Sequence, residues 1–491
     1  MRFLFKSAAV LGVALAAACY TAAETLENQM VTYADFGFVS HVTASINHVY
    51  FATTNGIIRY NKIEARWADP LTGSGGIDDR DIKKIWVDNF DEKIYAATGL
   101  GYFEYDLLFQ RWYPITDIPP LESSNRHIRA PEVLYPPFSY NYSGSEEILI
   151  DAYGRYYSFS DVLDDNSGTL WIGTWGHGPA SAGASSGIVD LLPYGLLQNR
   201  VNAIFRDGPV LWVSGAVYDS YRTGISVFDT ENNRFHYIES GVDNDFPAVD
   251  VNCLAGDSHY IYVGTTTGLL VFDREIEKFV RRISARTGLV DKNVLSLGII
   301  GDSIFVGTER GLSILTFEND SLMLSIPEAL VNRIVYDFQP ADSAVWIATD
   351  DGAFRLEVSS GKVQRFQDPN LILFSRVYDI EIFRKDLWFA ADAGILRLDL
   401  GTGELEPFRL VAQKTGARAL AVNGQVAAVA SDRGLTLIHH DVARPYSREF
   451  TTDDGLPSSY VFSLVMDGDH LWVGTDRGLT RFWWNNPNRV D

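Results

Sequence analysis

LWVGTDRGLTRF, residues 471–482, closes the chain, and near-copies of it stand at IYVGTTTGLLVF (261), IFVGTERGLSIL (304) and VWIATDDGAFRL (345). The glycine after the Thr-x-x spacer falls at Gly56, Gly101, Gly187, Gly224, Gly268, Gly311, Gly352, Gly394, Gly434 and Gly478. The successive intervals are 45, 86, 37, 44, 43, 41, 42, 40 and 44, so a true repeat of forty-odd residues runs through the chain and the interval of 86 is its one anomaly.

Each unit has the same internal grammar. A short apolar stretch such as Val461–Leu464 precedes a polar turn, two apolar strands follow across a tight turn, and a charged turn leads to an aromatic-bearing segment such as Arg234–Tyr237. Four short runs rich in β-branched and aromatic residues, with no helical period, predict a four-stranded propeller blade per unit. The glycine supplies the positive φ that the reversal demands, and the threonine hydroxyl can bond to the turn's main chain. Trp171, Trp212, Trp346, Trp388 and Trp472 read as wedges between neighbouring blades, so these most repeated residues are structural.

The fold expected is therefore an all-β propeller of about ten four-stranded repeats. A strand at residues 29–33 stands alone before the first repeat, while the last repeat ends after its third strand. The N-terminal strand is expected to complete the last blade, which removes two exposed edges. One closed ring of ten is the simplest architecture, with two smaller rings as the alternative.

This grammar resembles that of the two-component regulator propeller family, whose repeats read Leu-Trp-Val-Gly-Thr followed by Gly-Leu. The resemblance extends from about Val42 to Phe482; the copies at 94, 387 and 426 are degenerate but in register. It implies a sensory or extracytoplasmic binding role, since such propellers often form the periplasmic sensor of membrane histidine kinases. No kinase or DNA-binding segment reads from these residues, so a stand-alone propeller is expected.

Composition bounds the rest. The 491 residues are 46% hydrophobic and 21% charged, ordinary for a globular chain, and acidic residues outnumber basic ones by 63 to 41 for a net charge of -22. An acidic surface cannot release counterions from a phosphate backbone, so nucleic acid is not an expected partner. Arg2 and Lys6, the apolar run 8–18 and the small residues before Glu24 form a secretory signal peptide. Cleavage after Ala23 would leave residues 24–491; cleavage before Cys19, in Ala16-Ala17-Ala18-Cys19, would remove 1–18 and leave a lipid-bearing cysteine, although Ala16 departs from the usual leucine. No other apolar run reaches membrane-spanning length. The expectation is an exported protein, periplasmic or extracellular, soluble or anchored at Cys19. Cys253 reads as a small buried hydrophobe.

Function is best sought where the repeat breaks. Three expansions stand out: residues 118–157 before the third unit, Thr174–Gly187, and Ser214–Gly224. Alternating strand direction puts all three on one face. Pro114, Pro119, Pro120, Pro131, Pro136 and Pro137 favour an inserted loop in the first of them, with an eroded blade within 107–160 as the alternative. The expansions supply Tyr140, Tyr142, Trp175, Tyr218 and Tyr221 with Arg126, His127, Arg129, His177 and Arg222. Aromatic platforms flanked by charged groups suit a glycan or an envelope protein, or form a satellite core under a long loop.

No nucleophile elbow, phosphate loop or paired-cysteine metal site is present. His127 and His177 have no carboxylate or third histidine at ligand spacing, so no metal or cofactor is expected. Asp164–Gly168 reads as a turn despite a faint resemblance to a calcium loop. Glu146, Glu147, Asp151 and Asp219 could serve a polysaccharide-active enzyme, and their separation would decide that alternative.

Overall fold

The computed structural model describes residues 30–486 apart from 73–76, 90–91, 107–110, 122–124, 129–133, 144, 219, 242–245, 319–320, 342, 368–372, 374 and 409–416. The expected signal peptide and Cys19 lie outside the described residues.

Ten antiparallel sheets succeed one another along the chain: blade 1 (39–71), blade 2 (84–115), blade 3 (156–191), blade 4 (203–239), blade 5 (251–283), blade 6 (294–325), blade 7 (335–365), blade 8 (377–408), blade 9 (419–450) and blade 10 (461–483). The fourth strand of blade 10 is Met30–Tyr33, which pairs antiparallel with Gly478–Trp483 from Met30 opposite Phe482 to Tyr33 opposite Leu479. Segment 116–155 adds three short strands to blade 3, making a seven-stranded sheet.

The repeated turn works through its hydroxyl. Thr53, Thr265, Thr308, Thr349 and Thr475 each donate Oγ1–H to the carbonyl of the glycine three residues on, at 2.7–3.0 Å. Gly478 sits at φ 132°, and a Cβ there would stand 2.4 Å from the Tyr33 carbonyl oxygen, so both conformation and space require glycine. In the third unit the corresponding bond runs from Thr174 to Gly178, four residues on, at 2.7 Å, which corrects the assignment of Gly187 as that unit's turn glycine. Pro179–Gly183 is the third strand; its small residues, Pro-Ala-Ser-Ala-Gly, read as loop because they lack the bulk of the other strands. Gly187 lies beyond it, between the third and fourth strands.

Blades are tied through their first strands. In blades 7, 8 and 10 a bulge after the first residue of that strand turns a short polar side chain toward the next blade, where it meets main chain. Asp337 accepts from Ile380 N–H at 3.1 Å, Asp379 from Leu420 N–H, and Ser463 donates to Val201 O at 3.4 Å. These ties fix the partition. Blades 4 to 10 follow one another, and blade 10 meets blade 4 through Ser463, the Arg206–Asp467 ion pair at 2.6 Å and Arg200 over Phe462. First-strand residues of all seven line one axial cavity of about 740 Å³.

Blades 1, 2 and 3 stand apart as an arc in the order 3, 1, 2: Asp161 of blade 3 accepts from Val42 N–H of blade 1 at 2.8 Å, and Ser40 of blade 1 donates to Ile82 O beside blade 2 at 3.2 Å. The single ring of ten is thus corrected to seven blades about an axis plus an arc of three. The ends of the arc, blades 2 and 3, are consecutive in sequence with the inserted segment between them.

One core joins the two units. Tyr33 and Trp472 of blade 10, Phe228 of blade 4, Trp67 of blade 1, Trp171 of blade 3 and Tyr194 of the connecting segment are all buried in it. All five tryptophans read as wedges are buried, none more than 7% exposed. Cys253 is half-buried and packs against the core between blades 5 and 6, where burial pushes its thiol pKa up.

Candidate functional site

The hairpin after Thr174 is held by the chain entering blade 1. Gly176 and Gly178 both donate N–H to Gly37 O, at 2.7 and 2.8 Å, and Phe38 pairs with Trp175 across an isolated bridge. Trp175, 46% exposed, meets Phe38 edge to face at 5.3 Å. Tyr221, from the loop after Ser214, meets the same Phe38 and closes its hydroxyl onto the Tyr156 main chain, accepting from N–H at 2.9 Å and donating to O at 2.8 Å. Trp175 lies opposite Ser158, two residues from the exposed Tyr156, so the side chains of Trp175 and Tyr156 lie on one face of the sheet.

Beneath this surface lies a buried polar layer. Glu239 on the last strand of blade 4 takes ion pairs from Arg222 and from Arg155, the latter at 2.9 Å. Arg155 also reaches Asp151 at 2.6 Å, and the Tyr157 hydroxyl donates to the same Asp151 oxygen at 3.1 Å. Burial pushes the Glu239 carboxyl up, but the two guanidinium groups outweigh it and hold its pKa below the usual carboxylate range. His177 is only 7% exposed and bonds Tyr140 Oη through Nε2 at 2.9 Å; burial, aided by Arg222, lowers its pKa to about 3, so it stays neutral.

The expected site residues divide. Trp175, His177, Tyr140, Tyr221 and Arg222 are brought together, with His177 and Arg222 inside the layer and Trp175 and Tyr221 on its surface. Tyr218 stands nearby in sequence and is 81% exposed. Tyr142 pairs with Leu149 in the inserted hairpin and packs beside the core of blade 3. Arg126 and His127 lie toward the other end of the blade 3 first strand, pairing with Asp164 and Leu163. Arg129, Asp219 and the side chains of Glu146 and Glu147 lie outside the described residues. Phe38, Arg155 and Glu239 belong to the site although they carry no repeat signal in the sequence; His41, likewise without one, sits beside His127 with ring centroids 4.7 Å apart. Asp164–Gly168 forms a turn in which Asp165 takes an ion pair from Lys62 at 2.9 Å.

The axial cavity offers different chemistry. Arg200, Arg376 and Arg418 line it together with Asp337 and Asp379. Burial, and for Asp337 the neighbouring Asp379 charge, raises both carboxyl pKa values. Carboxyls with raised folded-state pKa values stabilise the fold fully at low pH and lose that contribution as pH rises through those values. Asp337→Asn, which keeps an acceptor for Ile380 N–H, is therefore expected to stabilise the protein by about 1–3 kcal/mol near pH 8 and to bring no gain near pH 4, read by urea unfolding at both.

Residues 455–477 match the family model of the two component regulator propeller, and they fall on the repeat from which the period was read. No curated protein matches the chain. Among solved structures the chain is similar to PorZ, a bacterial surface component of the type-IX secretion system of Porphyromonas gingivalis, at 15% identity and a TM-score of 0.49, covering 91% of this chain and 68% of that one. It is also similar to the extracellular domain of the putative hybrid two component system BT4673 of B. thetaiotaomicron, at 13% identity and a TM-score of 0.48, covering 91% and 70%. Among the described residues no helix is long and apolar enough to cross a membrane.

Proposed function

We propose that the protein is an exported, non-catalytic recognition propeller of the bacterial envelope, and that it binds a glycan or a protein partner on the aromatic surface of Trp175, Tyr156, Tyr218 and Tyr221. The observation that carries this reading is Trp175: a large apolar ring left 46% exposed although main-chain bonds, Phe38 and the Tyr221 clasp hold its surroundings fixed. A rigid exposed aromatic offers contact area with little entropy left to lose on binding, which suits stacking on a sugar ring or an apolar side chain.

The buried layer supports binding rather than turnover. Asp151 is committed to Arg155, to the Tyr157 hydroxyl and to the N–H groups of Tyr153 and Arg155, and is held below the usual carboxylate range, which unsuits it as a general acid.

The test is a screen of the purified chain against arrays of bacterial and plant glycans and of envelope-protein peptides, with Trp175→Ala beside it. Binding by the wild type that the variant loses, with the unfolding midpoint unchanged, is the expected result. Hits of equal strength with both proteins would place the ligand elsewhere, and turnover of a bound glycan would contradict the non-catalytic reading.

A further inference from the structure

We propose that His41, His127 and Asp161 form a binding site for one divalent transition-metal ion of the zinc class. His41 belongs to the first strand of blade 1 (Val39–Ala44), Asp161 to that of blade 3 (Tyr156–Asp164) and His127 to the inserted strand Arg126–His127. One donor atom from each lies within 4.8 Å of the others.

The fold explains why they converge. His41 and Asp161 each follow the bulge that turns a side chain toward the neighbouring blade. Equivalent bulge positions elsewhere carry Cys253, Ser296, Asp337, Asp379 and Ser463, so blade 1 has placed an imidazole where a small group is the rule. Asp161 Oδ2 is fixed by Val42 N–H at 2.8 Å, which orients Oδ1 toward His127 Nδ1, also at 2.8 Å. A ligating carboxylate held by a main-chain donor is what a metal site needs around its first ligands.

His41 supplies the second, independent observation. It is only 9% exposed, its Nδ1 has no hydrogen-bond partner, and its Nε2 stands 3.8 Å from Asp161 Oδ2, beyond hydrogen-bond reach. A buried imidazole nitrogen left without a partner is costly unless something else takes its lone pair. It faces a cavity of about 280 Å³ lined also by His127, Lys84, Trp86 and Asn125, room for an ion with its water ligands. Burial lowers the His41 pKa to about 4, and burial of Asp161 is outweighed by His127 and Val42 N–H, which hold its carboxyl below the usual range. Two imidazoles and one carboxylate suit zinc, iron, cobalt or nickel over calcium or magnesium, and leave coordination positions open to the cavity. Lys84 faces the same cavity and opposes weakly held cations, so only an ion making strong bonds to nitrogen competes. The bound ion would pin the inserted segment to the open arc.

This inference is independent of the aromatic surface. The test strips the purified chain with a chelator and titrates it near neutral pH with zinc or cobalt chloride, by calorimetry and by the visible absorption of cobalt. One equivalent bound per chain is expected, with a cobalt spectrum showing nitrogen and oxygen ligands. His127→Ala and Asp161→Asn are expected to weaken binding on the order of 100-fold, and exposed His259→Ala to leave it unchanged. His127 is exposed, so its variant keeps the fold, and thermal unfolding of both variants without metal separates ligand loss from misfolding. Failure of the wild type to bind one equivalent at micromolar metal, or equal binding by wild type and His127→Ala, overturns the proposal.

Discussion

Glu239→Ala is expected to destabilise the protein by about 3–5 kcal/mol near neutral pH, because it leaves the buried Arg222 guanidinium without its counter-charge. Arg155 keeps Asp151 and suffers less. Exposed Arg126→Ala, which breaks an ion pair with Asp164 in solvent, should cost under about 1 kcal/mol, so the contrast isolates burial rather than charge pairing. The dependence on pH has a definite sign. With its folded-state pKa held below the usual 4.5, Glu239 contributes fully above that value and loses its contribution as pH falls through the folded-state one. The difference between wild type and Glu239→Ala in urea unfolding should therefore shrink on acidification. A difference constant with pH would mean that the carboxylate is not what holds the layer. Loss of this layer should also loosen Tyr221 and with it the surface on which recognition is proposed.

Tyr33→Ala is expected to cost about 3–5 kcal/mol, the usual price of emptying a buried aromatic site. Tyr33 is fully buried, lies 4.6 Å from the Phe228 ring and 6.3 Å from that of Trp472, and donates its hydroxyl to Asp69 at 2.9 Å. Asp69 also binds Arg481 at 2.6 Å, so one side chain on the closing strand touches blades 1, 4 and 10. Tyr33→Phe keeps the rings and loses only the bond to a carboxylate, for which about 1.5–3 kcal/mol is expected. Denaturant unfolding followed by near-ultraviolet circular dichroism measures both. A cost under about 1 kcal/mol for the alanine variant would show that arc and ring do not share a core.

Much of this architecture was legible. The turn glycines and the tryptophan wedges repeat because each blade solves the same local problem, and their period named the fold. The partition into seven and three was not legible for the same reason. Every blade has identical local grammar, whereas ring membership depends on contacts such as Ser463 with Val201, 262 residues apart. The third unit misled at Gly187 because its third strand is built from small residues that look like loop. The expanded segments bring Tyr140, Trp175, His177, Tyr221 and Arg222 together but not Arg126, His127 or Tyr142, and sequence could not separate Trp175 and Tyr221, which face solvent, from His177 and Arg222, which support them. His41 gave no signal, since a histidine in an apolar first strand looks like filler until the bulge turns it toward Asp161.

Recognition is proposed to belong to the aromatic surface rather than to the axial cavity. It is tested most directly by calorimetry of wild type, Trp175→Ala and Arg376→Ala against the strongest ligand from the screen. Affinity is expected to fall more than about 10-fold in Trp175→Ala and to stay unchanged in Arg376→Ala, a gap of over about 1.4 kcal/mol. Affinity lost with Arg376→Ala and kept with Trp175→Ala would contradict it and move the site to the mouth of the seven-blade cavity.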